Sequence, residues 1–131
     1  MTAVHVAFVL VACTLLLRTC DLQRTIRLLE RALPPTNPNA AGPAAFDRAQ
    51  RLGQIASAVG RRLPIKASCL PQALTVWWLL RRIRLPAEIR IGVQTAPAFA
   101  AHAWVEIDGQ PVNDRHDIST RFTPFAPPSR R

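Results

Sequence analysis

Ser68-Cys69-Leu70-Pro71-Gln72-Ala73-Leu74-Thr75-Val76-Trp77-Trp78-Leu79-Leu80 is the stretch on which the fold turns. Ser68 suits an N-cap, and Pro71 falls in the first turn, where its missing N–H has no intrahelical partner to lose. The spacing therefore predicts a helix that begins at Cys69. Beyond that turn the sequence is apolar nearly all round to Leu80, which marks a central helix buried on most sides. Arg81, Arg82 and Arg84 follow at the negative end of the helix dipole, where cations are favoured.

Downstream, the period changes to two. Ile89, Ile91 and Val93 alternate with Glu88, Arg90 and Gln94, so a strand starts at Ala87. A second strand runs from Ala101 to about Glu106, with Ala101, Ala103 and Val105 on one side and His102, Trp104 and Glu106 on the other. Asp108-Gly109 is a turn signal, and Gln110 to Asp114 reads as the returning strand. From Arg115 a Pro- and Arg-rich tail carries no assignable period.

Upstream, an amphipathic helix is predicted from about Ala44 to Arg62, with Phe46, Leu52, Ile55 and Val59 on its buried side. Residues 34–43 hold four Pro, two Asn and one Gly and read as a linker. Another helix spans Asp21 to Leu33. Val4 to Leu17 is apolar apart from His5 and Thr14. It is shorter than the ~20 residues a membrane span requires and no Lys or Arg precedes it, so it reads as a helix buried against the domain or a partner, with membrane contact the lesser reading. This divides the chain into an N-terminal helical segment, 1–36, and a domain, 44–131.

With 131 residues, 49% of them hydrophobic, the chain can bury a sizeable core. Seventeen Lys and Arg against eight acidic residues give a formal charge of +9, which suits an acidic partner. Three Trp, five Phe and no Tyr supply the stacking platform of a single-strand binder poorly, so no nucleic acid is expected. No Gly-rich phosphate loop occurs. Three cysteines without a C-x-x-C pair suggest neither a disulfide framework nor a zinc site, and a reduced, cytoplasmic compartment is the simplest reading.

The chemistry centres on Cys69. A thiol is a useful nucleophile only as thiolate, and a helix N-terminus favours an anion; the same N–H groups can receive the oxyanion of a tetrahedral intermediate. An inert buried cysteine is the alternative. The hairpin decides whether an acid can orient a base. A two-residue turn at Asp108-Gly109 pairs Ile107 with Gln110 and leaves His102 and Asp114 on opposite faces. A three-residue loop with Gly109 left-handed in a bulge pairs Glu106 with Gln110 and sets His102 directly opposite Asp114, and this is the expected register. His102 as a half-exposed strand residue and Asp114 as a turn cap remain the bland alternatives, and His5 and His116 are weaker bases by position.

Ser68-Cys69-Leu70 with Ala73-Leu74, Ile91-Gly92-Val93, Ala101 to Glu106, Gly109 and Asn113-Asp114 together resemble the lasso-peptide leader peptidases of bacteria. The resemblance covers Leu63 to Phe125; 33 residues separate Cys69 from His102, and 12 separate His102 from Asp114. It implies an α+β, transglutaminase-like or papain-like cysteine protease fold, with N-terminal helices and a central Cys-bearing helix on a small antiparallel sheet. It also implies a catalytic triad of Cys69, His102 and Asp114, with no cofactor, which removes the leader from a ribosomally made precursor before a separate asparagine-synthetase-like cyclase closes the ring. Some family members carry a fused leader-recognition domain for which this chain has no room, so a separate recognition protein is expected. Gln54 and Gln72 are the weak candidates for a side-chain oxyanion donor. A transglutaminase-type acyltransferase and a non-catalytic scaffold of the maturation complex remain as alternatives.

Overall fold

A computed structural model describes residues 2–64, 68–114 and 117–125; His116 and the end of the Pro- and Arg-rich tail lie outside them. Helix α1 (Ala3–Thr19) opens on Thr2, whose hydroxyl accepts from the His5 N–H at 3.3 Å, and α2 (Leu22–Arg31) opens on Asp21, whose carboxylate accepts from the Arg24 N–H at 2.8 Å. Such caps satisfy donors that the first turn cannot pair internally. A short 3₁₀ turn, Pro38–Ala40, interrupts the linker before α3 (Pro43–Arg62), which has Pro at its first position.

Helix α4 (Cys69–Arg82) is the axis of the core, as its all-round apolarity predicts. Ala73, Leu74, Val76, Leu79 and Leu80 are each at most 1% exposed. α1 and α3 pack on it from one side and the sheet from the other. From α1 come Val6, Val9, Leu10 and Cys13. From α3 come Ala49, Leu52 and Ala56, so its deepest residues lie on the small-residue side of the predicted stripe, and Phe46, Ile55 and Val59 are only half-buried against the same core. The apolar N-terminal helix is thus covered by the domain itself on one face, while Val4, Phe8 and Leu15 stay exposed on the other. No helix among the described residues is long and apolar enough to cross a membrane.

α4 ends in a left-handed residue, Arg84 (φ 66°), after which the Leu85 N–H returns to the Leu80 carbonyl at 3.1 Å. This reversal buries Leu85 and aims the chain into the sheet. Arg81 and Arg82 lie over the rings of Trp77 and Trp78, one turn back, at 5.7 and 4.9 Å.

The sheet is antiparallel, in the order β3-β2-β1-β4, built from β1 (Ala87–Gln94), β2 (Ala100–Ile107), β3 (Gln110–Pro111) and β4 (Thr123–Pro124). Ala103, Val105 and Ile107 of β2 face the main core. The opposite face of β2 is largely covered: a four-residue helix, α5 (Ile118–Arg121), and β4 fold over it, and Ile118 and Phe122 bury Trp104 in a second, smaller core while His102 stays half-exposed. That cover comes from the stretch to which no element is assigned by period, because a single helical turn and a two-residue strand are too short to show one.

The hairpin corrects the expected register. Asp108 (φ 50°) and Gly109 (φ 77°) are both left-handed and form a two-residue turn, so Ile107 pairs with Gln110 and Glu106 with Pro111. The returning strand is correspondingly short, two residues where five were expected.

Candidate active site

Counted along that register, His102 and Asp114 would fall on opposite faces of the hairpin. They nevertheless meet: His102 Nε2 is hydrogen-bonded to Asp114 Oδ2. The ladder itself makes the correction. The Val112 N–H still reaches the Val105 carbonyl at 2.9 Å, but the Val105 N–H is taken at 2.7 Å by the side-chain oxygen of Asn113, not by a backbone carbonyl. Residues 112–114 bend out of the strand there, and the bend carries Asp114 across to the imidazole. The Asn113 amide thus does the work assigned to a bulge at Gly109.

Helix α3 sets how far the bend can travel. A Cβ on Gly53 would stand 2.9 Å from both Cα and Cβ of Asn113 and 3.0 Å from the Val112 carbonyl oxygen, closer than side-chain carbons come. Glycine at this helical position lets the segment bearing Asp114 lie directly on the helix. Beside it, a cavity of about 400 Å³ is lined by the polar stripe Gln50, Gln54, Ser57 and Arg61 of α3 and by Asn113 and Asp114. Gln54, one of the two candidate oxyanion donors, therefore lies on the Asp114 side of the site. Gln72, the other, stands on α4 against Gly60.

His102 sits opposite Gly92 of β1, half-buried, with its ring between two aromatics: Trp104, nearly parallel at 20° with centroids 6.2 Å apart, and Phe122, tilted at 5.2 Å. Because Asp114 holds Nε2, Nδ1 is the nitrogen left to exchange a proton with a nucleophile.

Cys69 is the first residue of α4, half-buried against the main core. Ser68 occupies the N-cap position but makes no side-chain cap bond. With Pro71 lacking an N–H, the first turn offers the backbone N–H groups of Cys69 and Leu70 to whatever anion forms there. No hydrogen bond among the described residues joins the thiol to the imidazole. Of the other two cysteines, Cys13 is buried and Cys20 is not at a helix start. Burial pushes the Cys13 thiol up, against a smaller opposing pull from its hydrogen bond with Thr75. Among the described residues no group of His, Cys, Asp or Glu is arranged to hold a metal ion.

Two residues that shape this site carry no role in the sequence reading, Gly53 and Asn113. A mid-helix glycine is a recognisable signal of close approach. The part of Asn113 depends on a broken ladder that no periodicity reveals.

Among curated proteins the chain is similar to the microcin J25-processing protein McjB of Escherichia coli, 33% identical over 61 residues, which are 47% of this chain and 29% of that protein. The chain thus matches less than a third of that relative's length. No solved structure matches. A family model described as the transglutaminase-like superfamily matches residues 7–126, which takes in most of α1 as well as the hairpin. With nearly the whole chain matched, and with a helix-start cysteine, a strand histidine and a carboxylate on that histidine, the protein belongs to the transglutaminase-like superfamily.

Proposed function

We propose that the protein is a cysteine peptidase that removes the leader from a lasso-peptide precursor, with Cys69 as nucleophile, His102 as base and Asp114 as the acid that orients it. The observation that carries this reading is the hydrogen bond between His102 Nε2 and Asp114 Oδ2, reached through a purpose-built bend. The similarity to a processing protein for microcin J25 supports the substrate class.

In the proposed reaction His102 Nδ1 takes the Cys69 proton, and the thiolate attacks the carbonyl carbon at the leader–core junction. The carbonyl electrons move to oxygen, and the N–H groups of Cys69 and Leu70 receive that oxyanion. Collapse breaks the C–N bond, and the core amine leaves with the proton from His102. Water, deprotonated by the same imidazole, then cleaves the thioester and frees the leader carboxylate and the thiol. Asp114 keeps Nδ1 turned to the sulfur and stabilises the imidazolium. The reaction takes place in the cytoplasm, with a separate recognition protein presenting the leader and a cyclase closing the ring afterwards.

The test is cleavage of a precursor, followed by mass spectrometry, with and without the recognition protein. Cys69→Ala is expected to abolish cleavage, and Asp114→Asn to lower turnover by about 10⁴-fold, the loss seen when the acid of a triad is replaced, with the fold intact. Maturation that survives Cys69→Ala would reduce the chain to a scaffold. A mass gain on the precursor in place of two fragments would make it an acyltransferase, which the superfamily match also accommodates.

A further inference from the structure

Three side chains stand in line on one face of β2: His102, Trp104 and Glu106. Trp104 is wholly buried, and its indole Nε1 donates to Glu106 Oε1 at 2.9 Å. The second carboxylate oxygen accepts from Arg90 Nε at 3.1 Å, across the strand pair, and the Arg90 guanidinium also reaches Glu88 at 3.1 Å. The six-membered end of the indole lies over Gly92, where a Cβ would come within 2.9 Å of Cη2. The indole is thus fixed at both ends, by a hydrogen bond at one and by a missing side chain at the other.

A nearly buried carboxylate paired with arginine is weak as a stabilising device, since an apolar pair of the same volume commonly serves as well or better. Glu106 does have a geometric effect. Without an acceptor for Nε1 the indole would leave a buried donor unpaired in its present orientation and would gain by tilting. The imidazole of His102 lies against that ring, so a tilt there is a tilt of the base. Asp114 holds only one ring nitrogen, which leaves rotation about that hydrogen bond to be limited by Trp104 on one side and Phe122 on the other.

We infer that Glu106 is a positioning residue for His102: anchored by Arg90, it locks the Trp104 indole as the wall that keeps Nε2 on Asp114 and Nδ1 toward the thiol. This rests on the reading of His102 as the catalytic base, and the test separates the two. Glu106→Gln retains a carbonyl acceptor for the indole, Glu106→Leu removes it, and Trp104→Phe removes the donor while keeping a ring. Arg90 keeps Glu88 in each, so no cation is orphaned.

The primary readout is ¹⁵N NMR of the His102 ring, which reports tautomer and titration with no substrate; the second is the kcat and KM of precursor cleavage. Glu106→Leu and Trp104→Phe are expected to mix the His102 tautomers and to lower kcat by about 10-fold with KM unchanged, as slight misplacement of a catalytic group does. Glu106→Gln is expected to stay within about 2-fold of the native protein by the same reasoning. Native His102 resonances and kcat in Trp104→Phe would overturn the inference, and that variant carries the test if Glu106→Leu does not fold. Mixed tautomers with cleavage insensitive to Cys69→Ala would leave the inference standing while removing the peptidase reading.

Discussion

Gly53→Ala is the substitution that best separates the site from the fold. The added methyl would stand 2.9 Å from two carbons of Asn113 and 3.0 Å from the Val112 oxygen. Carbon atoms rest about 3.5–4.0 Å apart, so the 112–114 segment must retreat by roughly 0.5–1 Å. Two opposing terms act on stability: Ala is better than Gly in a helix interior by about 1 kcal/mol, and overpacking costs about 1–3 kcal/mol. The net loss is therefore small, about 0–2 kcal/mol by those figures, well within what a domain tolerates. Activity has no such compensation. The displaced residue is Asn113, which holds the bend, and its neighbour is Asp114; a shift of this size is expected to lower turnover by about 10- to 100-fold. Urea denaturation and precursor cleavage measured on the same sample read the two effects separately. Gly60→Ala is the control on the same helix, because the three atoms nearest its methyl all belong to the Gln72 side chain, Nε2 at 2.7 Å, and none to residues 112–114. A Gly53→Ala protein that cleaves at the native rate would refute the view that the bend on α3 sets the position of Asp114.

Iodoacetamide labelling with peptide mapping is expected to modify Cys69 before Cys20 and long before Cys13, which is buried and held as thiol; faster labelling of Cys13 in the folded protein would contradict the assignment. The raised Cys13 pKa has a stability consequence of definite sign. As pH rises through the ordinary thiol range, about 8.5, the unfolded chain gives up this proton while the folded chain keeps it, so stability falls, and Cys13→Ala should show a shallower alkaline decline in urea midpoint; parallel declines would contradict this. Removing residues 2–20 would take Val6, Val9, Leu10 and Cys13 out of the core. At about 1.5–3 kcal/mol for each large apolar side chain the loss is comparable to the whole stability of a domain, so the truncated chain is expected to lack a cooperative thermal transition, and a sharp one would show α1 to be dispensable.

Much of this was legible from residue pattern. The start of α4 at Cys69 follows from Ser68 and Pro71, and β1 and β2 follow from alternation because each has one face in the main core. The apolar run Val4 to Leu17 was ambiguous for a physical reason: it is apolar on both faces, and nothing in it says which face meets the domain. The hairpin register is not legible because Asp108-Gly109 accommodates two turn types, and only the three-residue loop sets His102 opposite Asp114 on a regular ladder. The contact between them exists, but it is made two residues beyond Val112, where the ladder count stops being valid. The second core is not legible because Trp104 looks like part of an outward face until Ile118 and Phe122 cover it.

Because the Asn113 amide, and not the Asp108-Gly109 turn, brings Asp114 to His102, the hairpin tip is insulated from that contact. A residue added at the tip would be absorbed between Ile107 and Pro111, upstream of the point where Val105 grips Asn113. Loop length there can be increased by a designer who wants a peptide-gripping tip, while the His102–Asp114 spacing in three dimensions stays fixed. Insertion between Asn113 and Asp114 has no such slack, and there a single added residue would part Asp114 from His102.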